Sequence, residues 1–240
     1  MRRALTRMMA AAALSSALAL GVSHVPDLLA GVEMFRVRGI RLEGTRFLTL
    51  EEVLASVELP PDASVWDDPM PWVRPLLANP LVEALDVGRD LPDSLVVRVT
   101  ETSPVALVPT PTLVPVDADG RRLPIDPSRH RLDLPLLRPG DDSAGEAARL
   151  QVRPLAHELQ RLGSADPEFV AMLSELDWEG EGDATALWGD PVVAFRFTPP
   201  LSAARLHEAM AVFTDATARF PDRRLRAVDL RYAEQVIVRF

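Results

Sequence analysis

The sequence contains no cysteine and no lysine. Without cysteine there are no disulfides, no thiolate metal sites and no cysteine nucleophiles. Without lysine all 26 basic residues are arginines, and 35 acidic residues outnumber them for a formal charge of -9. That balance argues against nucleic-acid binding, which depends on clustered positive charge releasing counterions from phosphate. Histidine is sparse: His24, His130, His157 and His207 lie far apart, and none belongs to an HExxH or similar ligand pair. GDDSAG at 140–145 lacks the order of a G-x-S-x-G nucleophile elbow and reads as a polar turn. DWEGEGD at 177–183 imitates the opening of a calcium loop, but its twelfth position is Trp188, where a bidentate glutamate is needed. It reads as a hairpin crown, and DADG at 117–120 as a type I turn. No glycine-rich phosphate loop follows a strand. The expectation is a protein with no catalytic, cofactor-binding or metal-binding residues, one that acts by binding.

What is present begins at the N-terminus. Three arginines in MRRALTR precede an uncharged run, residues 8–22, which breaks at His24, Pro26 and Asp27. Positive charge ahead of an apolar run predicts a short transmembrane helix over 8–26, a cytoplasmic stub at 1–7 and export of the rest. A cleaved signal peptide, cut near Ala19, is the other reading, and it too exports the chain. With 48% of residues apolar, the 240-residue chain can build one large or two small cores.

From Phe35 the pattern is α+β. FRVRGIRLEG predicts an outer strand closed by Gly44, and FLTLEEVLASV predicts a helix starting at Thr49 with Leu50, Val53, Leu54 and Val57 on its apolar face. PMPWVRPLLANP predicts a second, proline-bounded helix with Trp72, Val73, Leu76 and Leu77 facing inward. LVEALDVGRD and SLVVRVTE make a hairpin. Farther on, Leu150, Leu155, Leu159 and Leu162 form a helical stripe interrupted by Pro154, and SELDWEG, ATALWGD and PVVAFRF are short strands. SAARLHEAMAVFTDATARF is the clearest helix, with Ser202 as N-cap and Leu206, Met210, Phe213, Thr217 and Phe220 at helical spacing.

The closing AVDLRYAEQVIVRF predicts a hairpin. Val228, Leu230 and Tyr232 share one face of its first strand, and Val236, Val238 and Phe240 one face of its second, leaving Gln235, Ile237 and Arg239 on the other. At a sheet edge, the second strand is a template for another chain; blunted by Arg239, it is an ordinary closed hairpin.

One stretch is more specific. VEALDVGRDLPDSLVVRVTETSPVALV, with Pro80, Val82, Ala84, Val87, Arg89, Leu91, Pro92, Leu95, Val97, Val99 and Glu101 followed by Pro104-Val105-Ala106, resembles the second half of a POTRA domain of the FtsQ/DivIB cell-division type. LVPVDADGRRLPID and LPLLRP resemble the segments that follow it in that family. The resemblance implies a POTRA domain (β-α-α-β-β) at 35–107. It also implies an FtsQ-like β domain at 108–240, a mixed α/β domain with a mainly antiparallel sheet ending in a C-terminal edge hairpin. It further implies a non-enzymatic inner-membrane scaffold, its bulk periplasmic, at the division septum. Its partners would be bitopic division proteins of the FtsB and FtsL type, with other divisome membrane proteins docking through the POTRA domain. The implied partner-binding residues are Leu230, Tyr232, Gln235, Val236, Ile237, Val238, Arg239 and Phe240, with binding by strand addition. Two other functions stand beside this one: a POTRA-containing outer-membrane assembly or secretion accessory, which would carry a long barrel of alternating strands, and a periplasmic hydrolase.

Overall fold

The computed structural model describes residues 25–140, 146–179 and 182–240. The stub at 1–7, almost all of the anchor expected at 8–26, most of the turn expected at 140–145 and two residues of the expected hairpin crown lie outside these. Among the described residues no helix is long and apolar enough to cross a membrane. The chain forms two compact units, divided between Glu101 and Thr102.

The first unit opens on a short helix, α1 (Val25–Ala30), and a 3-10 turn (Glu33–Phe35) before β1 (Gly39–Glu43). Gly44 ends β1 at φ +83, where a Cβ would lie 2.4 Å from the Val99 carbonyl oxygen, so the turn needs glycine. Helix α2 (Leu50–Ser56) starts on a capping box: Thr49 Oγ1 accepts from the Glu52 N–H, and the Glu52 carboxylate accepts from the Thr49 N–H at 2.8 Å. The apolar face expected of this helix is only partly used. Val53 is buried, but Leu50 and Leu54 are 45% and 48% exposed. The second helix is α3 (Met70–Val73), which tightens into a 3-10 turn (Arg74–Ala78) carrying Pro75 at its start, where a missing N–H costs least. That tightening changes the face. Three residues per turn align Val73 with Leu76, both buried, and swing Leu77 out to solvent.

Strands β2 (Val82–Asp90) and β3 (Ser94–Glu101) form an antiparallel hairpin, and β1 adds parallel to β3, giving the order β1-β3-β2. As the central strand β3 buries Leu95, Val96, Val97 and Val99. The Glu101 carboxylate at its end accepts from the N–H groups of Arg46, Phe47 and Leu48 at 2.7–3.0 Å. One side chain thereby satisfies the turn between β1 and α2 and ties it to the central strand.

The second unit is an eight-stranded sheet built from β4 (Ala106–Thr110), β5 (Thr112–Val116), β6 (Leu136–Arg138), β7 (Leu173–Trp178), β8 (Ala184–Trp188), β9 (Val193–Phe197), β10 (Ala227–Asp229) and β11 (Ile237–Arg239). Their order is β11-β10-β9-β8-β7-β6-β4-β5. The sheet is more mixed than expected. The pairs β11/β10, β9/β8, β8/β7 and β4/β5 are antiparallel, whereas β10/β9, β7/β6 and β6/β4 are parallel. Parallel neighbours need crossovers, and two of these carry the helices: α4 (Glu146–Ala165) and α5 (Pro167–Ala171) between β6 and β7, and α6 (Ala203–Arg219) between β9 and β10.

Helix α4 continues past an interior proline, Pro154. An interior proline costs about 3 kcal/mol, but Leu155, Leu159 and Leu162 are fully buried from the same helix, and each such burial stabilises by roughly 1.5–3 kcal/mol. In α6 the buried line is Leu206, Ala209 and Ala216, with Met210 and Phe213 packed at its margin and Thr217 and Phe220 exposed. The stripe of large residues read from the sequence is therefore rotated. Alanine lets the helix approach the sheet closely, and the bulkier residues fill the sides. Trp188, rejected above as a calcium ligand, stacks on Phe169 at 5.9 Å between centroids and donates from Nε1 to the Phe169 carbonyl at 3.0 Å.

Candidate functional site

The two outer strands of the eight-stranded sheet are β5 and β11, and they are finished differently. In β5 Pro115 offers no N–H, its carbonyl accepts from the Leu123 N–H at 2.9 Å, and Val116 is bridged to Arg122. Proline and a returning segment thus blunt that edge. Among the described residues the other edge carries neither device.

Strand β10 is buried through Ala227, Val228 and Asp229, and Leu230 follows at 5% exposed. Two hydrogen bonds set its backbone direction. The Ala194 N–H donates to the Arg226 carbonyl at 2.9 Å, and the Leu230 N–H donates to the Arg196 carbonyl at 2.7 Å. Val228 and Leu230 therefore address β9 and Ala227 and Asp229 address β11, while Arg226, just before the strand, gives its carbonyl to β9 and its N–H to the Arg239 carbonyl at 2.7 Å. Their partners Arg239 and Ile237 point back at β10. Val238, between them, directs its N–H and C=O away from the sheet.

The eight residues expected to bind a partner divide accordingly. Val236, Val238 and Phe240 turn their side chains onto the core. Phe240 also meets Phe220 edge-on at 5.3 Å, and the Arg223 guanidinium lies 4.3 Å from its ring centre. Arg239 is exposed, Ile237 half-buried, and Leu230 belongs to the core. Tyr232 and Gln235 do not share the strand faces read from the alternation. β10 stops at Asp229 and β11 starts at Ile237, so both lie in the connecting loop, with Tyr232 46% exposed. The reason is electrostatic. Arg231 turns back to grip Asp229 through two bonds, Nε–Oδ1 at 2.9 Å and Nη2–Oδ2 at 2.7 Å, and reaches Asp183 at 3.1 Å. This pairing holds the Asp229 carboxyl below the usual carboxylate range and Arg231 above its ordinary value.

A second arginine closes the loop. Arg205, from the first turn of α6, donates from Nη2 to the carbonyls of Tyr232 and Gln235, the latter at 2.6 Å, while Nη1 pairs with Glu208. Sequence reasoning does not connect Arg205, Asp183 and Phe220 to this hairpin: Asp183 reads as part of a hairpin crown and Phe220 as part of a helical stripe, and all three lie remote along the chain; an arginine near a helix N-terminus is the one weak signal. At the far side of the sheet an open depression of about 530 Å³ is lined by Thr110, Arg138, Asp177, Trp178 and Glu179 among others. No histidine or serine is among the described residues lining it.

The β-α-α-β-β order of the first unit is that of a POTRA domain, and residues 35–102 match the family described as POTRA domain, FtsQ-type. The chain is also 29% identical over 174 residues to the cell division protein FtsQ of Syntrophotalea carbinolica, a match covering 69% of this chain and 62% of that protein. The chain thus carries an FtsQ-type POTRA domain and is similar to FtsQ over 174 residues.

Proposed function

We propose that the protein is a non-enzymatic scaffold of the cell-division machinery, anchored in the inner membrane through residues 8–26 with its bulk outside the cytoplasm, that holds bitopic partners of the FtsB and FtsL type at the septum. An extended segment of the partner adds as a strand beside β11. The POTRA domain at 35–107 offers further docking to divisome membrane proteins. The reading is supported by the likeness to FtsQ and rests on one observation above the rest: of the two outer strands in the large sheet, β5 is blunted and β11 is open.

The register also selects the test. Proline at Ile237 would break the hairpin itself, since that residue faces β10. Val238→Pro removes the outward donor and leaves the bonds to β10, as an edge strand tolerates. Val238→Ala controls for the lost side-chain packing. Binding of the exported coiled-coil segment of the organism's own FtsB-type protein is expected to fall at least about tenfold in the proline variant relative to the alanine one, as loss of a hydrogen bond and of strand geometry together imply. Equal affinity in the two, measured by calorimetry, removes β11 as the docking edge.

A further inference from the structure

We infer that Arg205 is a positioning residue that preorganises β11 for its partner, a role that rests on the reading of β11 as the docking edge. The connection from Leu230 to Val236 is the weak point of that edge: residues 231–235 are all exposed, and β11 is only three residues long. A strand so short would fray unless its entry were held.

Arg205 holds it from a rigid base. The residue follows the N-cap Ser202, whose side chain accepts from the Arg205 N–H at 3.2 Å, and precedes Leu206, which is fully buried. Its side chain is only 16% exposed although it serves a solvent-facing loop. One terminal nitrogen joins two carbonyls three residues apart, Tyr232 and Gln235, and the other is braced by Glu208. Gln235 is the last residue before the apolar run Val236–Val238, so fixing its carbonyl fixes where the chain turns into β11 and which backbone groups face outward. Arg231, clamped to Asp229 and Asp183, pins the beginning of the same loop. The planar fork of arginine suits this bridging, whereas the single ammonium of lysine has no second terminal nitrogen to take the Glu208 brace.

Both bridged carbonyls lie at the surface. On loss of Arg205 water can solvate them, so the penalty falls on loop order and not on the fold. A partner strand then has to organise the loop as it binds, and that ordering is subtracted from affinity.

The experiment compares full-length wild-type, Arg205→Ala, Arg205→Lys and Val238→Pro proteins in three measurements. These are thermal unfolding, amide hydrogen exchange at 232–239, and binding of the exported coiled-coil segment used to test β11. Arg205→Ala is expected to unfold near the wild-type temperature, exchange faster at 232–239 alone, and bind on the order of tenfold more weakly. Arg205→Lys should lie between. Wild-type exchange or wild-type affinity in Arg205→Ala, with Val238→Pro still impaired, overturns the positioning role and leaves the docking edge standing. A large fall in unfolding temperature in both Arg205 variants also overturns it, by making the residue part of the core architecture. Wild-type affinity in Val238→Pro overturns the docking edge itself.

Discussion

At Asp177, burial and the neighbouring Glu175 carboxylate push the carboxyl up to about 7, against the attraction of Arg138. A carboxyl raised in the folded state holds its proton longer there than in the unfolded chain, so stability falls as pH rises from about 4 to about 7 and then levels off. Asp177→Asn removes that slope. The variant should match the parent below about pH 4 and exceed it at pH 8 by on the order of 1 kcal/mol after solvent screening, measured by thermal melts across the range. Asp229 works in the opposite sense. Held down first by its hydrogen bonds to Arg231, it contributes stability above the ordinary carboxylate value that is lost on acidification through its lowered folded one. Neither shift was legible in the sequence, where DLRY and SELDW show charges next to apolar residues but not which charges meet. Asp183 and Arg231 are 48 residues apart and pair at 3.1 Å.

Among the elements, those announced by local chemistry formed where that chemistry put them. Thr49 with Glu52 starts α2, Ser202 starts α6, and the β2–β3 hairpin closes around Leu91-Pro92-Asp93. The capping box gives a direct test: Thr49→Ala should cost about 0.5–2 kcal/mol, read from the denaturant midpoint at unchanged slope. Faces were harder to read than spans. The expected inner faces of α2, of the 3-10 turn after α3 and of α6 each included residues that the structure leaves exposed: Leu54, Leu77 and Thr217. A period identifies a stripe, but helix length, tightening and the size of the facing residues decide which edge of that stripe reaches the core. The C-terminal hairpin erred in the same way. Alternation from Val228 to Tyr232 looked like one strand, and the Arg231–Asp229 grip ends it three residues early.

In the whole molecule each unit has its own sheet, and the proposed docking edge belongs entirely to the second. Leu76→Ala in the first unit should therefore destabilise that unit by about 2–5 kcal/mol while leaving the affinity of partner for β11 unchanged, measured below the unfolding transition. Sequence alone determined the α+β class, the POTRA pattern and the existence of a final hairpin, because caps, turn residues and apolar periods act over a few residues. Only the tertiary structure decided that β11 lies at an edge, that β5 at the opposite edge is blunted, and that Val238 and not Ile237 offers its backbone outward. Strand order and hydrogen-bond direction depend on partners far apart along the chain. A two-residue period is the same for an edge strand and for a covered one.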